Sequence, residues 1–310
     1  MNRANRVSPP GGGKASAVVG GVPITHPDRV VFPDLAITKR GLAAYYRTVA
    51  AAMLREIAGR PLSSVRCPAG VGGECFFQKH FRSGLESLRR VSIREKSGRA
   101  DYLVVRHRRD LIALVQQGVV EIHPWGARAD DPERPDRMVF DLDPSPEAGF
   151  GAAVEAALTL RDRLTRLDLA SFVKTTGGKG LHVVVPLRRG PSWREVKEFA
   201  RAVAATFTRA NPAAYTIAPA KSARGGKVFI DYLRNDRGAT AVAPYSARAR
   251  PGATVAFPLP WSALKPGLNP ARFTVATVPR LIAARSDPWR ALYRTDQTLT
   301  AAARKALGVR

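Results

Sequence analysis

One stretch constrains the fold of this chain more than any other, an apolar run that ends in two aspartates: Met138-Val139-Phe140-Asp141-Leu142-Asp143-Pro144. Its β-branched and aromatic residues are typical of a buried β-strand. Pro144 ends the strand, because proline cannot donate a hydrogen bond to a neighbouring strand. Residues i and i+2 of a strand point to the same face, about 7 Å apart. The sequence therefore predicts that Asp141 and Asp143 lie side by side at a strand end, with Leu142 turned into the core.

Two neighbouring carboxylates need positive charge close by. At about 4 to 7 Å and an effective dielectric constant near 20, two unpaired negative charges repel by roughly 2 to 4 kcal/mol. Hard divalent cations take oxygen ligands, and pairs of such ions about 3.5 to 4 Å apart serve phosphoryl transfer. An Asp-x-Asp pair can also cap a helix, shape a turn or be bridged by an arginine. The pair alone leaves a metal site and these structural roles open.

The charge balance points to a polyanionic partner. Lysine and arginine number 50 against 25 aspartates and glutamates, which gives a formal net charge of +25 over 310 residues. Such a surplus is typical of proteins that bind nucleic acid, nucleotides or an anionic membrane surface. The many Ala, Arg and Pro residues also fit a GC-rich genome, in which part of this charge would carry no function.

Membrane and secreted classes are disfavoured by the sequence. No apolar run approaches the roughly 18 residues that a membrane span needs, and the N-terminus has no apolar signal segment. The two cysteines, Cys67 and Cys75, fit neither a zinc-finger spacing nor a disulfide framework. We therefore expect a cytoplasmic protein.

Hydrophobic periodicity and turn residues divide the chain into short strands and helices. Residues 1–20 are rich in Gly, Pro, Ser and Arg, which predicts a disordered basic tail. Residues 130–137 are predicted to form a polar loop. The predicted helices are 38–58, 111–118, 148–167, 193–209, 278–284 and 297–307. Thr38 is the predicted N-cap of the first helix, and Gly59-Arg60-Pro61 ends it. The predicted strands are 22–25, 62–66, 75–80, 101–105, 119–123, 170–174, 181–186, 228–232 and 239–244.

Three features at strand ends then suggest one site. They are the aspartate pair, the turn Thr175-Thr176-Gly177-Gly178-Lys179-Gly180 with His182 beyond it, and Asp231 at the end of another strand. Strands that carry carboxylates on one face, with helices on the other, form a catalytic palm. Three carboxylates from two strands are the ligand set expected for two divalent ions that hold a triphosphate and a primer end.

The glycine-rich turn and His182 can each be explained either by a binding role or by a purely structural one. Glycines allow positive φ angles and close approach of the backbone, so the turn can offer N–H groups to an anion, with Thr176 and Lys179 adding a hydroxyl and a charge. The turn is too short for a Walker P-loop, however, and the turn taken alone favours an ordinary hairpin with a solvated lysine. A lone histidine on a strand is more often a partly buried structural residue than a catalytic one.

The order of these motifs resembles that of the archaeo-eukaryotic primase superfamily, and more narrowly the polymerase domain of bacterial ligase D. The three principal motifs are Val139-Phe140-Asp141-Leu142-Asp143-Pro144, Thr176-Gly177-Gly178-Lys179-Gly180-Leu181-His182 and Gly226-Lys227-Val228-Phe229-Ile230-Asp231-Tyr232. The supporting motifs are Arg60-Pro61, Phe76-Phe77-Gln78-Lys79-His80, Glu121-Ile122-His123 and Ala243-Pro244-Tyr245-Ser246-Ala247-Arg248. Each motif is weak alone, but their joint occurrence over residues 20–285 is specific.

The resemblance implies roles for the residues of the palm. Asp141, Asp143 and Asp231 match the catalytic carboxylates that bind two Mn²⁺ or Mg²⁺ ions. The residues that match the nucleotide-binding positions of the family are Thr176, Lys179, His182, Arg248 and His123. The family more often has serine where Thr176 stands, and threonine keeps the hydroxyl.

The resemblance also implies contacts with DNA. Phe76 and Phe77 match aromatic residues that support the template strand, and Lys79 belongs to the same motif. Because neighbouring residues of a strand alternate, we expect one of the two phenylalanines to face inward. Arg29 and Lys39 match basic residues that hold the 5′-phosphate at a gap or break; arginine replaces lysine at position 29 and can still bind phosphate in a bidentate manner.

The resemblance therefore implies an α+β, two-lobed primase-polymerase fold and a nucleotidyltransferase that adds NTPs or dNTPs to 3′-hydroxyl ends in non-homologous end joining. The implied partners are gapped or broken DNA with a 5′-phosphate, a Ku-like protein and a DNA ligase, near the bacterial nucleoid. We expect a tail (1–20), a primase-polymerase domain (21–290) and a C-terminal helix (291–310), the domain having an N-terminal lobe (21–137) and a palm (138–250). A replicative or plasmid-type primase, or a non-catalytic DNA-binding module, remains the alternative.

Overall fold

The computed structural model describes residues 16–80, 88–265 and 267–309. The helices in these ranges are α1 (Lys39–Ile57), α2 (Arg108–Gln116), α3 (Gly149–Arg166), α4 (Trp193–Ala210), α5 (Val278–Ala284) and α6 (Ala301–Ala306). The strands are β1 (Ser16–Val19), β2 (Val22–Thr25), β3 (Val30–Phe32), β4 (Ile37–Thr38), β5 (Leu62–Arg66), β6 (Phe76–Gln78), β7 (Arg89–Glu95), β8 (Gly98–Val104), β9 (Val119–Pro124), β10 (Ala127–Arg128), β11 (Asp131–Pro135), β12 (Arg137–Pro144), β13 (Phe172–Thr175), β14 (Leu181–Pro186), β15 (Tyr215–Thr216), β16 (Val228–Asp231) and β17 (Pro258–Leu259). None of the described helices is long and apolar enough to span a bilayer.

The larger sheet has six strands in the order β15-β16-β12-β14-β13-β17, with β12 near its centre. Met138, Phe140 and Leu142 alternate along β12, are completely buried and belong to the main core. Helices α3 and α4 pack against β12. Because alternate side chains point to opposite faces, Asp141 and Asp143 lie on the other face, so the core fixes which way the aspartates point.

The smaller sheet has five strands, β6-β5-β8-β7 with β9 also paired to β5. Helix α1 begins at its predicted N-cap, Thr38, whose hydroxyl accepts a hydrogen bond from the N–H of Gly41 at 3.1 Å. Two buried tyrosines on α1 tie it to distant parts of the fold: Tyr46 donates to the carbonyl of Val120 at 2.6 Å, and Tyr45 to that of Tyr245 at 2.8 Å. Helix α1 therefore links the smaller sheet to the segment that follows β16.

Several predicted elements need correction. Residues 239–244 form no strand, since only an isolated bridge joins Thr240 to Trp125. The predicted polar loop 130–137 contains β11, a strand with almost no apolar residues that pairs with β10. Strand β7 was also missed, because Val91 and Ile93 are its only apolar residues and arginines fill most of its exposed positions. Strand β1 lies within the predicted tail, whose first 15 residues are outside the described residues.

The expectation of no disulfide was also wrong, because Cys67 and Cys75 are bonded to each other. Strands β5 and β6 are antiparallel, and Arg66 lies opposite Phe76. The next residue on each side is a cysteine, so the two thiols meet across the connection between the strands. The bond holds the loop of residues 68–74 at the end of the smaller sheet.

Candidate active site

The three predicted carboxylates come together on the larger sheet. Strands β12 and β16 are antiparallel, and Asp141 lies directly opposite Asp231. Asp143 is two residues further along β12 and so faces the same side. Asp141 and Asp231 are only 6% and 7% exposed, and Asp143 is half-buried. The strand-end geometry expected from the sequence is confirmed.

An arginine that the sequence analysis missed lies between these carboxylates. Nε of Arg234 is 3.1 Å from Oδ2 of Asp141 and 3.3 Å from Oδ2 of Asp231. The neighbouring Asn235 exchanges hydrogen bonds with the backbone N–H and C=O of Val139, at 2.7 and 2.8 Å, and so fixes the turn on β12. Arg234 therefore bridges Asp141 and Asp231, whereas the arginine bridge that the sequence left open was one between Asp141 and Asp143.

The charges around the aspartates set their protonation. Burial alone would raise the pKa of Asp141, but His182 and Arg234 hold it below its ordinary value. Burial and the negative charge of Asp141 raise the pKa of Asp143 to about 6. Burial likewise raises the pKa of Asp231, against the charge of Arg234. The aspartates are held at high negative charge density, which a further cation would relieve.

The carboxylates fit a divalent cation chemically, although they are not preassembled around one. Within residues 16–80, 88–265 and 267–309, no group of three or more His, Cys, Asp or Glu side chains is arranged to hold a metal ion. Arg234 explains this, because its guanidinium takes up oxygens that a metal would use. Oδ1 of Asp141 nevertheless lies buried without a hydrogen bond, with Nε2 of His182 at 3.3 Å. Hard cations prefer such oxygen ligands.

The glycine-rich turn between β13 and β14 abuts the end of β12. The hydroxyl of Thr176 accepts hydrogen bonds from the N–H groups of Gly178 and Gly180, at 3.2 and 3.4 Å, and donates to the carbonyl of Gly180 at 3.1 Å. A Cβ at position 180 would collide with the carbonyl oxygen of Leu142. Glycine is required at position 180 because the turn packs directly on the strand that carries the aspartates.

One cavity of about 310 Å³ brings together the predicted nucleotide positions and two of the three predicted metal residues, Asp141 and Asp143, whereas Asp231 is not among its lining residues. It is lined by His123, Asp141, Asp143, Thr176, Gly178, Lys179, His182, Arg234, Thr240, Ala241, Val242, Arg248 and Arg250. All five predicted nucleotide residues are among them. We call this space the active-site cavity.

Glu121 anchors two of the predicted residues and was itself not predicted. Its Oε2 lies 2.8 Å from Nε2 of His123 and 3.0 Å from Nε of Arg248. Arg248 also donates to the carbonyl of Thr176 at 2.6 Å. Burial would raise the pKa of Glu121, but His123 and Arg248 bring it down to about 2. Its place in the Glu-Ile-His motif, two residues before His123 on one strand face, was an available signal.

Lys174 is a third residue of the site that was not predicted from the sequence. It pairs with His182 across β13 and β14, is 2% exposed, and its Nζ has no hydrogen-bond partner among the described residues. Burial lowers the pKa of Lys174 to about 7, and burial also lowers that of His182 to about 4. The face of the sheet that carries Asp141 therefore has a buried amine beside a neutral imidazole.

Both predicted template aromatics are exposed, which corrects the expectation that one faces inward. Phe76 and Phe77 are 41% and 55% exposed. Strand β6 has three residues and lies at the edge of its sheet, so neither of its faces is covered. Phe77 contacts His123 edge-on, with ring centroids 5.7 Å apart, and so stands next to the active-site cavity. Lys79 beside them pairs with Glu95 at 2.8 Å.

A second cavity, of about 300 Å³, contains Arg29 and Lys39. Nη1 of Arg29 donates to the carbonyl of Pro68 at 2.8 Å, and Nζ of Lys39 to that of Thr25 at 3.0 Å. None of its described lining residues is acidic, and Arg66 adds a third positive charge. Burial and the charge of Arg29 lower the pKa of Lys39 to about 8. Lys39 is the first residue of α1, where the helix dipole also favours an anion. We call this the Arg29–Lys39 pocket.

Comparisons with known proteins agree on one family. The family model described as the primase-polymerase domain of LigD matches residues 38–289. The multifunctional non-homologous end joining protein LigD of Pseudomonas aeruginosa is 38% identical over 299 residues, which are 96% of this chain and 36% of that protein. The protein of the same name from Mycolicibacterium smegmatis is 39% identical over 256 residues, covering 81% of this chain and 34% of that protein.

A solved structure shows the same fold. The polymerase domain from Mycobacterium tuberculosis ligase D in complex with DNA superposes with a TM-score of 0.82 at 34% identity, covering 87% of this chain and 97% of that one. The predicted α+β primase-polymerase fold is therefore confirmed. The chain spans about a third of the length of the curated relatives it matches, 36% and 34% for the two above.

Proposed function

The chain belongs to the LigD primase-polymerase family, and from this premise we propose that it is a template-directed polymerase of non-homologous end joining. In the proposed reaction, the 3′-hydroxyl of a primer attacks the α-phosphate of an NTP or dNTP and pyrophosphate leaves. The observation that carries the proposal is the active-site cavity. There, Asp141 and Asp143 face a glycine-rich turn and two cations, Lys179 and Arg248, and Asp231 lies opposite Asp141 on the adjacent strand.

In this proposal Asp141, Asp143 and Asp231 hold two Mn²⁺ or Mg²⁺ ions. When bound, such ions lower the pKa of the attacking hydroxyl and neutralise charge on the triphosphate. Arg234 has to release at least one carboxylate before those oxygens can bind a cation. The guanidinium thus limits the repulsion among the aspartates until the substrate and its ions arrive.

The residues opposite the aspartates receive the triphosphate. Lys179 and Arg248 supply positive charge. The Thr176 turn supplies hydrogen bonds once the bonds between its hydroxyl and the N–H groups of Gly178 and Gly180 are exchanged for bonds to the triphosphate. Glu121 keeps Arg248 and His123 oriented, since both pair with the same carboxylate oxygen. His182 lies against Asp141 and is neutral at pH 7, because burial depresses its pKa to about 4. It therefore adds no positive charge that would compete with a metal ion.

DNA reaches the site over the smaller sheet. Phe76 and Phe77 offer exposed rings to template bases, and stacking of this kind contributes about 1 to 3 kcal/mol per base. The Arg29–Lys39 pocket takes the 5′-phosphate beyond the gap, with Lys79 as a further backbone contact. This pocket favours a gap-filling repair enzyme over a replicative primase, because a primase that starts chains has no downstream 5′-phosphate to hold.

The division into an N-terminal lobe (21–137) and a palm (138–250) within a domain of residues 21–290 is part of the proposal. The two large sheets support it, since β5 to β9 build one and β12 to β17 the other. A Ku-like protein and a DNA ligase are proposed partners, because the relatives named for end joining are about three times as long as this chain.

The decisive experiment is extension of a primer across a one-nucleotide gap with a 5′-phosphate. We expect templated addition that requires Mn²⁺ or Mg²⁺ and is faster with the 5′-phosphate than with a 5′-hydroxyl. NTPs and dNTPs are compared in parallel with both metals. Chain initiation on an unprimed template would instead favour the primase alternative, and binding without any extension would support the non-catalytic one.

A further inference from the structure

A third cavity, of about 350 Å³, lies at the C-terminal end of α1 and has no role in the proposed reaction. We call it the arginine cavity. It is lined by Gly59, Arg89, Arg90, Val91, Arg106, Arg128, Ala129, Asp130 and Arg189. Five arginines and one aspartate therefore share a single concave surface.

Among the described residues, the carboxylates near the arginine cavity are already engaged by other arginines. Asp130, the one acidic lining residue, is held by both terminal nitrogens of Arg189, at 2.9 and 3.2 Å. Arg128 lies 3.4 Å from Asp136, but that carboxylate is already bound by Arg60 at 2.6 and 2.7 Å. Among the described residues, neither of these two carboxylates is left to neutralise Arg89 and Arg106.

Two of these arginines have free guanidinium groups. Arg89 and Arg106 are exposed, and neither side chain has an ion-pair or hydrogen-bond partner in the described part of the chain. Like charges gathered on one concave surface repel each other, and a bound anion offsets that repulsion. The planar guanidinium fork suits the oxygens of a phosphate group.

The arginine cavity is distant from the Arg29–Lys39 pocket. Lys39 begins α1, and Gly59 lies two residues past the helix end. At 1.5 Å per residue, the 19 residues of α1 span about 28 Å. B-DNA rises about 3.4 Å per base pair, so this distance corresponds to about eight base pairs. The two basic surfaces can therefore contact one duplex only if it extends about that far.

We propose that the arginine cavity binds backbone phosphates of a nucleic acid, as a contact separate from the active-site cavity and the Arg29–Lys39 pocket. Arg89 and Arg106 lie together on this surface, and the whole chain carries a formal net charge of +25, which favours a polyanion over a single inorganic phosphate. A nucleic-acid strand brings one negative charge with every nucleotide. The contact reads no base sequence, since it involves phosphates alone.

The test compares two double variants that remove the same charge. Arg89→Gln/Arg106→Gln empties the cavity of its two unpaired guanidiniums. Arg201→Gln/Arg209→Gln is the matched control, because both residues are exposed on α4 and line none of the three cavities. Binding to a 30-base-pair duplex is followed by fluorescence anisotropy from about 50 to 300 mM salt, in EDTA and without nucleotide.

We expect Arg89→Gln/Arg106→Gln to weaken duplex binding by about tenfold near 100 mM salt. Its slope of log K against log salt should become shallower by one to two, since each lost phosphate contact changes it by about 0.9. The α4 control should change affinity by less than about twofold. Equal losses in the two variants, or no loss in the first, would overturn the proposal.

Two further binding experiments test whether the arginine cavity prefers another anion to nucleic acid. Thermal unfolding checks that the variants remain folded. Inorganic phosphate and poly-glutamate are each used as competitors and as direct ligands. If the cavity variant loses poly-glutamate binding but keeps duplex binding, the cavity receives an acidic protein segment and the proposal fails. If it loses only inorganic phosphate binding, the proposal fails as well. All arms omit nucleotide and metal, so a failure of the proposed polymerase reaction would not affect their outcome.

Discussion

The active-site cavity and the Arg29–Lys39 pocket have nearly equal volumes, about 310 and about 300 Å³, and both are rich in positive charge. They differ in what their cations contact. In the active-site cavity, Arg234 and Arg248 are paired with the carboxylates of Asp141 and Glu121. In the Arg29–Lys39 pocket, both named residues donate to backbone carbonyls.

This difference separates two ways of binding phosphate. A backbone carbonyl orients a cation without neutralising it, so the Arg29–Lys39 pocket keeps its full positive charge for an anion. The carboxylates of the active-site cavity cancel much of its cationic charge, and a triphosphate there requires added divalent ions. One phosphate site should therefore work without metal, whereas the other should depend on it.

The largest expected effect is on Asp141, which only the metal-dependent site uses. Asp141→Ala should lower primer extension by at least about a thousandfold, or about 4 kcal/mol at 1.36 kcal/mol per tenfold change. Affinity for a 5′-phosphorylated gap should stay within about twofold, because the Arg29–Lys39 pocket is unchanged. Extension rates and DNA binding are measured side by side.

Asp162→Asn is the matched control for Asp141, since Asp162 is exposed on α3 and pairs only with its neighbour Arg161 among the described residues. It should retain full activity. Wild-type extension by Asp141→Ala would show that the carboxylates of β12 do not hold the catalytic metal.

The second prediction concerns the Arg29–Lys39 pocket, which should bind phosphate without metal. Arg29→Gln/Lys39→Gln should reduce the preference for a 5′-phosphate over a 5′-hydroxyl gap by tenfold or more, since a hydrogen bond to a charged group contributes about 1.5 to 3 kcal/mol. The loss should be the same in EDTA and in Mn²⁺ when binding is measured. Arg40→Gln is the control, because Arg40 is next in sequence but exposed and paired with Asp28. Equal loss on both gaps would contradict the assignment.

The third prediction tests whether Arg234 competes with metal. Arg234→Gln should bind Mn²⁺ about fivefold more tightly in the absence of nucleotide, because a partly exposed ion pair of this kind is worth about 1 kcal/mol. Mn²⁺ titration followed by electron paramagnetic resonance measures the affinity directly. Arg237→Gln removes the same charge three residues on, where the arginine pairs with Glu133. If Arg234→Gln and Arg237→Gln gained the same Mn²⁺ affinity, the gain would come from the lower net positive charge of the protein. It would then not come from the release of Asp141 and Asp231 by Arg234.

The sequence predicted those parts of the site that depend on local pattern. Alternation along residues 138–144 placed Asp141 and Asp143 on one face, because the apolar residues between them had to enter the core. Glycines identified the turn before His182. Proline and glycine positions also bounded α1, whose N-cap was predicted correctly.

The sequence did not predict contacts between distant segments. Arg234 reaches Asp141 across 93 positions, and Arg248 reaches Glu121 across more than a hundred, so no local pattern signals either pair. Strand β7, at an edge of its sheet, was missed because its apolar alternation is confined to Val91 and Ile93 between exposed arginines. The disulfide between Cys67 and Cys75 was missed for a different reason, because only the spacing of the cysteines was considered. Pairing β5 with β6 as a hairpin would have placed Cys67 opposite Cys75.

The smallest expected effect uses pH to separate the two sites. Burial and the neighbouring Arg29 lower the pKa of Lys39 to about 8, so its charge is present below pH 8 and is lost as pH rises through that value. The 5′-phosphate is already a dianion at pH 7, because its second pKa is about 6. Preference for the 5′-phosphate should therefore fall severalfold between about pH 7 and pH 9.5, with a midpoint above 8, since the bound phosphate itself stabilises the charged amine.

Lys39→Arg is the matched variant for this pH dependence, because a guanidinium stays charged throughout the range. It should keep the 5′-phosphate preference nearly constant from pH 7 to 9.5, measured as the ratio of affinities for 5′-phosphate and 5′-hydroxyl gaps in EDTA. Using the ratio cancels pH effects on the rest of the DNA interface, and EDTA removes the active-site metals. If the 5′-phosphate preference declined equally in wild type and Lys39→Arg, the pH dependence would belong to another group. Lys39 would then not explain the difference between the two phosphate sites.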